Sequence, residues 1–339
     1  MNLEATEQSL LKSGEKISLY KGEYYILDNH CILVFDETGK FMRSSKHMMG
    51  RGPGEYGCIV DFDIDTINDI IEILDASSYK IRKYDCNFVF RSELRFPEPM
   101  SDFKILTPDL YAFYSMPHYD PILIEKGMEI REEALQIYSS SQNKVLKRLC
   151  KLPSYNFLIG QRYPFLSFNN NQTFFAHGLP NNNILYHIDS EKMDIDSVLE
   201  YNFGKYTFTS DDIPLPTADI TGGLRFMLNN SDKYAFVIDK FVNSRCYFAF
   251  VFFKKELLLI SSDKKTKKHD IIVWNKLESG GSFFTSPTFV DNDYFYEIIA
   301  PEFLKNFPFN ELFSPHSKVV VDNMTEDDNP ALVKFKLLQ

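Results

Sequence analysis

Two stretches of this sequence repeat one pattern, and that repetition constrains the fold more than any other feature. "YYILD" (24–28) leads to "CILVFD" (31–36) and "GKFMRSS" (39–45), and "DFDID" (61–65) leads to "IIEILD" (70–75), "KIRKYD" (80–85) and "FVFRSEL" (88–94). Each run is short and apolar or aromatic, and most end in a polar residue ahead of a turn, which is the mark of a β-strand. The matching ends Asp28 and Asp75 stand 47 residues apart, a spacing that suits a four-stranded propeller blade of about 40–50 residues. Weaker copies follow: "LYAFYS" with "ALQIYSS" and "KVLKRL"; "TFFAHG" with "ILYHID" and "SVLEYNFG"; "YAFVID" with "YFAFVFF", "LLLIS" and "DIIVW"; "YFYEII" with "KVVVD" and "ALVKFKLL".

These make six units in 339 residues, roughly 56 residues each, so insertions are implied. The best candidates are 116–134, with "IEKGMEIREEAL", and 300–317, with "APEFLKNFPFNELF", either able to form a short helix. Long β-α-β alternation is absent, which argues against a doubly wound parallel sheet. No linker divides the chain. The expected architecture is one all-β domain over 1–339, a six-bladed β-propeller with short helical insertions. A composition of 31 Phe and 19 Tyr against one Trp suits packed strands and argues against disorder.

Charge narrows the partners. A net charge of -10 opposes a main role in holding phosphate backbones or anionic membranes, which need clustered cations. The one basic cluster, "DKKTKKHD" (263–270), lies between "LLLIS" and "DIIVW" and reads as a solvated hairpin tip. The longest apolar run, "CYFAFVFF" (246–253), fits a strand and is far short of the roughly 18 residues of a membrane-spanning helix. Cys31, Cys58, Cys86, Cys150 and Cys246 are odd in number, widely spaced and without a C-x-x-C pair, so they read as free thiols. The opening "MNLEATEQSLLKSGEK" lacks the basic and apolar regions of a signal peptide, so taken literally the chain is not exported.

In "GRGPGEYGCIVDFDID" (50–65), Gly52, Gly54 and Gly57 satisfy G-x-G-x-x-G. A dinucleotide loop needs a helix after the glycines, so that its N-terminus meets the pyrophosphate. Here the following residues alternate with the period of a strand. The segment therefore reads as a turn joining two sheets, and no cofactor is expected.

The elements "GKF", "GRGPGEY", "DFDID", "ILD" and "KIRKYD", with "NLEATEQSLL" near the start and "YFYEIIAPEFL" (294–304) and "EDDNPALVKFKLL" (326–338) near the end, carry a resemblance. The chain resembles the six-bladed β-propeller proteins, similar to NHL-repeat propellers, of the envelopes of Gram-negative gut anaerobes, a largely uncharacterised family. That resemblance implies a lipoprotein signal upstream of the propeller and a location in the periplasm or at the outer membrane. It begins almost at Met1, so the signal is expected ahead of the residues given; were Met1 the native start, an intracellular scaffold would follow instead. It also implies that the glycine-rich segment carries the chain from the outer strand of one blade to the inner strand of the next, with Tyr56 filling the space between them.

Propellers bind ligands mainly at one end of the channel, through loops and strand ends of several blades. The candidate ligand contacts are Arg51, Glu55, Tyr56, His118, Arg162, His177 and Arg225, with Tyr119 as a second aromatic platform. Asp61, Asp63 and Asp65 share one strand face, which suits a cation but more commonly lines a solvated face or caps turns. No H-x-x-x-H, H-E-x-x-H or G-x-S-x-G occurs, so no metal ligand or catalytic residue is assigned. The expectation is a non-catalytic binding or interaction propeller of the envelope, monomeric, taking a glycan, a peptide or another envelope protein and no nucleic acid. The alternative is a propeller hydrolase, lactonase or lyase with a metal-assisted site at the channel mouth.

Overall fold

The computed structural model describes residues 1–96, 100–115, 133–151, 164–168, 172–177, 183–212, 220–276, 287–305 and 313–337. Six sheets follow one another in chain order, with the strands of each in sequence order. The first holds β1 (Lys16–Tyr20), β2 (Glu23–Asp28), β3 (Cys31–Phe35) and β4 (Phe41–Ser44); the second β5 (Ile59–Asp65), β6 (Ile70–Asp75), β7 (Lys80–Asp85) and β8 (Phe90–Arg95). The third holds β9 (Asp102–Ile105), β10 (Leu110–Tyr114), β11 (Glu133–Ser139) and β12 (Lys144–Lys151); the fourth β13 (Phe165–Phe168), β14 (Gln172–Phe175), β15 (Ile184–Asp189) and β16 (Asp194–Glu200). The fifth holds β17 (Phe236–Val242), β18 (Cys246–Phe253), β19 (Glu256–Asp263) and β20 (His269–Lys276); the sixth β21 (Phe289–Asp291), β22 (Tyr294–Ile299) and β23 (Ala331–Phe335). This is the all-β, six-bladed β-propeller class that the repeats led us to expect. Three α-helices occur among the described residues: α1 (Ile220–Asn230), α2 (Pro301–Lys305) and α3 (Pro315–Asn323).

The chain forms two compact units, one of residues 1–108 with 287–339 and the other of 109–286. In the first unit the leading strands β21, β1, β5 and β9 are successive neighbours. Packing there explains why the strands read as near-continuous apolar runs. Tyr25, Leu27, Ile32 and Val34 of the first sheet join Tyr56, Ile59, Phe62, Ile71, Ile73 and Tyr84 in one cluster. The alternate residues Ile26, Cys31, Leu33 and Phe35 join Leu3, Leu11, Ile17, Tyr296, Ile298 and Leu332 in another. Successive side chains of a strand point to opposite faces, and here both faces are covered, so the polar half of the usual alternation is lost.

The paired ends Asp28 and Asp75 have a shared physical task. Asp28 is buried and accepts the backbone N–H groups of Lys12, Ser13 and Gly14 at 2.8–2.9 Å, just ahead of β1. Asp75 is equally buried and accepts the N–H groups of Gly57 (3.4 Å) and Cys58 (3.2 Å), just ahead of β5. In the sixth sheet Glu297 of β22 takes the N–H of Thr288, ahead of β21, at 3.0 Å. Each acid sits on the second strand of its sheet and fastens the chain where it enters the first. Burial works against the charge on Asp75, but hydrogen bonds from Ser77, Ser78 and Arg82 outweigh it and hold its pKa below the ordinary aspartate value.

The two ends of the chain meet within the first unit. The Met1 amino group donates to the Leu332 carbonyl at 2.9 Å, and the Leu332 N–H returns the bond to Met1 at 3.0 Å. Beside this pair, buried Asn329 accepts from the Leu11 N–H at 2.8 Å and donates to the Glu4 and Ser9 carbonyls at 2.9 and 2.8 Å.

In the second unit, Phe174, Ala176 and Leu185 of the fourth sheet pack on Val242 of the fifth. Met227 of α1 joins Phe208, Tyr234, Phe236 and Phe252 over the fifth sheet.

One strand expectation is corrected. "KVVVD" (318–322) lies within helix α3. Ser314 caps that helix by accepting the Ser317 N–H at 3.1 Å, and Pro315 opens its first turn, so the local start signal overrides the β-branched run. The insertion at 300–317 carries α2 as expected, while all but 133 and 134 of the insertion at 116–134 lies outside the described residues.

Replacing Asn329 with Ala would strand the buried Leu11 N–H and the Ser9 carbonyl, each costing on the order of 1–3 kcal/mol when buried, while the Glu4 carbonyl keeps the Ser9 hydroxyl at 2.6 Å. Urea unfolding of Asn329→Ala should show a loss of about 2–4 kcal/mol, and a loss under about 0.5 kcal/mol would mean the seam is not held by this side chain.

Candidate functional site

The glycine-rich segment, 50–57, runs between β4 and β5, and its contacts are internal. The Gly50 N–H donates to the Tyr56 carbonyl at 2.9 Å and the Tyr56 N–H to the Met48 carbonyl at 3.0 Å. The Tyr56 ring is fully buried, and its hydroxyl meets Ser45 Oγ at 2.7 Å and donates to the Ser45 carbonyl at 2.9 Å. Tyr84 reaches across from β7 to the Gly54 carbonyl at 2.9 Å. Gly54 has φ +77, and a Cβ there would lie 2.6 Å from the Phe90 ring, so the glycine is required by both backbone and space. Glu55 is half-buried and accepts the Gly52 N–H at 2.7 Å. Arg51 is the one charged side chain of the segment that is exposed.

The remaining sequence candidates fall in the second unit or outside the described residues. His118, Tyr119 and Arg162 lie outside them. Arg225 is exposed on α1. His177 is buried just after β14, edge-on to the rings of Tyr114 and Phe175. Burial drives its imidazole pKa down to about 3, helped by the charge of Lys240. Lys240 on β17 is itself buried and pushed down to about 8 by desolvation, partly offset by Asp239 and Cys150. Desolvation raises the Cys150 thiol to about 12, so at neutral pH it is a protonated thiol and a poor nucleophile.

A different group of side chains is brought together in the first unit, by the leading strands β1, β5 and β9. Lys16 Nζ meets Asp61 Oδ1 at 2.6 Å, and Asp61 Oδ2 accepts the Phe103 N–H at 2.8 Å. One step along β5, Lys104 Nζ meets Asp63 Oδ1 at 2.8 Å while Asp63 Oδ2 accepts the Ile105 N–H at 2.9 Å. Asp61 and Asp63 are therefore buried ties between strands, where a solvated face was expected. Asp65 does cap a turn, accepting the Ile67 and Asn68 N–H groups at 3.0 and 3.2 Å.

Lys16 keeps 26% of its side chain exposed, so this row is open to water. Burial works against its ammonium charge, but Asp61 and Asp63 outweigh it and set the pKa above the ordinary lysine value. Half-buried Asp102 is raised to about 7, first by burial and then by the charge of Asp61, with Lys16 partly offsetting both. An acid poised near neutrality can accept or donate a hydrogen bond, which marks a candidate functional position. The sequence signal for this row was the 61/63/65 alternation, but the lysine partners lie 45 and 41 residues away. Among the described residues no three His, Cys, Asp or Glu side chains are grouped so as to hold a metal ion.

The fold also places His30 Nδ1 at 3.3 Å from Cys58 Sγ. The same nitrogen lies 3.0 Å from the Ile59 carbonyl, and burial, then Asp75 and Glu15, raises the thiol pKa. This pair therefore lacks the depressed thiol of a cysteine nucleophile. All five cysteines are free.

A family described as a domain of unknown function, DUF4934, matches residues 1–336. The chain belongs to the DUF4934 family. No curated protein matches it. Among solved structures, a "putative exported protein" of Bacteroides fragilis shares the fold of this DUF4934 chain with a TM-score of 0.73 at 19% identity, covering 98% of this chain and 92% of that one. A DUF4221 member from Bacteroides vulgatus superposes with a TM-score of 0.51 at 11% identity, covering 99% of this chain and 96% of that one. At such identities the likeness concerns the fold alone.

The poised carboxyl predicts a pH dependence. An unfolded aspartate titrates near about 3.9, and folded Asp102 near about 7, so the folded state holds the proton more tightly between those values. Its contribution to stability is thus full below about pH 4 and is lost as pH rises towards about 7. Asp102→Asn should raise the thermal midpoint over wild type at pH 8 and leave it nearly unchanged at pH 4. A shift of equal size at both pH values would remove the titration of Asp102 as its cause.

Proposed function

We propose that this DUF4934 chain is a non-catalytic binding module of the cell envelope, and that it takes a hydroxyl-rich glycan at the row formed by Lys16, Asp61, Asp63, Asp102 and Lys104. The observation that carries this is Asp102, half-buried beside the Lys16–Asp61 pair. The two lysines are matched by Asp61 and Asp63, so the row presents fixed charges that are already balanced, plus one carboxyl free of any ion pair among the described residues. Paired sugar hydroxyls suit such a row, because each can donate to a carboxylate and accept from an ammonium. Of the other proposed contacts, Arg51 offers an exposed guanidinium; Glu55 and Tyr56 support its segment.

The envelope location draws support from the description of the Bacteroides fragilis neighbour as an exported protein. A lipoprotein anchor ahead of the residues given is part of the same proposal, as is a monomeric state. Among the described residues no helix is long and apolar enough to cross a membrane.

The enzyme alternative has one observation in its favour: a buried amine near neutrality, Lys240, close enough to His177 to influence its charge, as perturbed groups gather at catalytic sites. One experiment separates the two. Titration calorimetry against a glycan panel should give saturable binding that weakens at least tenfold in Asp102→Ala, with no turnover of sugar or lactone substrates. Turnover that survives Asp102→Ala and is lost in Lys240→Met would replace the binding reading with the enzymatic one.

A further inference from the structure

The outer strand of the fifth sheet departs from its counterparts. In β4, β8, β12 and β16 the large apolar side chains are at least half-buried, apart from Met42, which is 48% exposed. In β20, three consecutive aliphatic residues stand in water: Ile271 at 65%, Ile272 at 46% and Val273 at 51% exposure. Over these three residues the register on β19 is regular, with Ile271 opposite Ile260, Ile272 opposite Leu259 and Val273 opposite Leu258, and a bulge follows only after Val273. Ile271 and Val273 therefore share one face and Ile272 takes the other. At these three residues both faces of the strand are uncovered among the described residues. β20 also ends the strand order of its sheet, so its outer row of backbone N–H and C=O groups pairs with no strand among the described residues. Proteins ordinarily blunt such edges with charge, bulges or cover.

A fixed positive end adjoins this edge. The turn from β19 to β20 is held by Asp263, whose Oδ1 accepts the Lys265 and Thr266 N–H groups at 2.9 and 2.7 Å and whose Oδ2 meets Arg245 at 3.0 Å. Lys264 is folded inward, donating to the Asn243 carbonyl at 2.6 Å and lying over the Tyr247 ring. Lys265, Lys267 and Lys268 are left exposed at the mouth of β20, on a chain whose net charge is -10.

We propose that β20 is a docking edge for an extended peptide segment that joins the fifth sheet as its next strand, apolar where it meets Ile271, Ile272 and Val273 and acidic where it meets Lys265, Lys267 and Lys268. Strand addition satisfies an open ladder while alternate side chains of the guest cover neighbours on both faces. A flat lipid surface would cover one face and leave the other aliphatic side chain in water. Parallel self-pairing is opposed by charge. A parallel pair of β20 edges sets the two lysine turns side by side, and like charges facing across strands are destabilising.

The test uses the whole chain and synthetic peptides in which a Val-Thr alternation carries three Glu or three Lys at one end. The Glu-ended peptide should bind by fluorescence anisotropy, weaken as salt rises, and slow hydrogen exchange of alternate amides within β20. Binding should fall at least tenfold in Ile272→Asp and in the triple variant K265E/K267E/K268E. Both variants alter exposed side chains and should keep the thermal midpoint of the wild type. The proposal is overturned if neither peptide binds, or if the Lys-ended peptide binds equally well. It is likewise overturned if the β20 amides are unprotected, if phosphatidylglycerol vesicles take the edge in place of the peptide, or if sedimentation shows a dimer that Ile272→Asp dissolves.

Discussion

Each well-formed blade of the first unit depends on a buried carboxylate that seizes the backbone where it enters the sheet. Asp28 holds three consecutive N–H groups ahead of β1, Asp75 holds two ahead of β5, and Glu297 holds one ahead of β21. Hydrogen bonds to a charged acceptor contribute about 1.5–3 kcal/mol each, and these sit where the chain would otherwise leave donors unsatisfied. They also fix where the first strand begins. Because the alternation of side chains has a period of two, a slip of one residue there would send every apolar side chain of that strand to the wrong face.

That dependence explains what could be read from the residues and what could not. The second and third strands of the first two sheets were visible because both of their faces are buried, which leaves apolar runs such as "YYILD" and "IIEILD" closed by an acid or a turn. Of the leading strands, β5 and β17 were legible as "DFDID" and "YAFVID", and the other four were not. β9 and β13 have four residues each and β21 three, and β1 and β9 carry the charged Lys16, Asp102 and Lys104. A short strand with alternating charge looks like a loop when its neighbours are unknown. β1 and β9 complete the candidate site around β5, so its acids were legible in the 61/63/65 alternation while their lysine partners, 45 and 41 residues away, were not. Helix α1 was hidden too, since Gly222 and Gly223 lower its intrinsic propensity.

The glycine-rich segment shows the reverse case, a conspicuous motif with a structural task. Its glycines answer to the Phe90 ring, the Glu55 carboxylate and one positive φ. Tyr56 hands its hydroxyl to Ser45, whose Oγ in turn accepts the Ile32 N–H at 2.9 Å. A chain of neutral hydrogen bonds thus ties the turn to the first sheet, and the polar chemistry is left to the neighbouring strands. Two carboxylates of β5, Asp61 and Asp63, serve both sides of that division. They tie β9 into place through its N–H groups and, through Lys16 and Lys104, shape the charge that a ligand would meet.

The claim that the second-strand acid governs the blade is tested most directly by native-state hydrogen exchange on Asp75→Ala. Protection should fall first at the amides of Gly57 and Cys58 and then together through β5 and β6, while the amides of Lys12, Ser13 and Gly14, held by Asp28, keep theirs. Unchanged protection across β5 and β6, with only Gly57 and Cys58 exchanging faster, would contradict the account and reduce the clamp to a local loop contact.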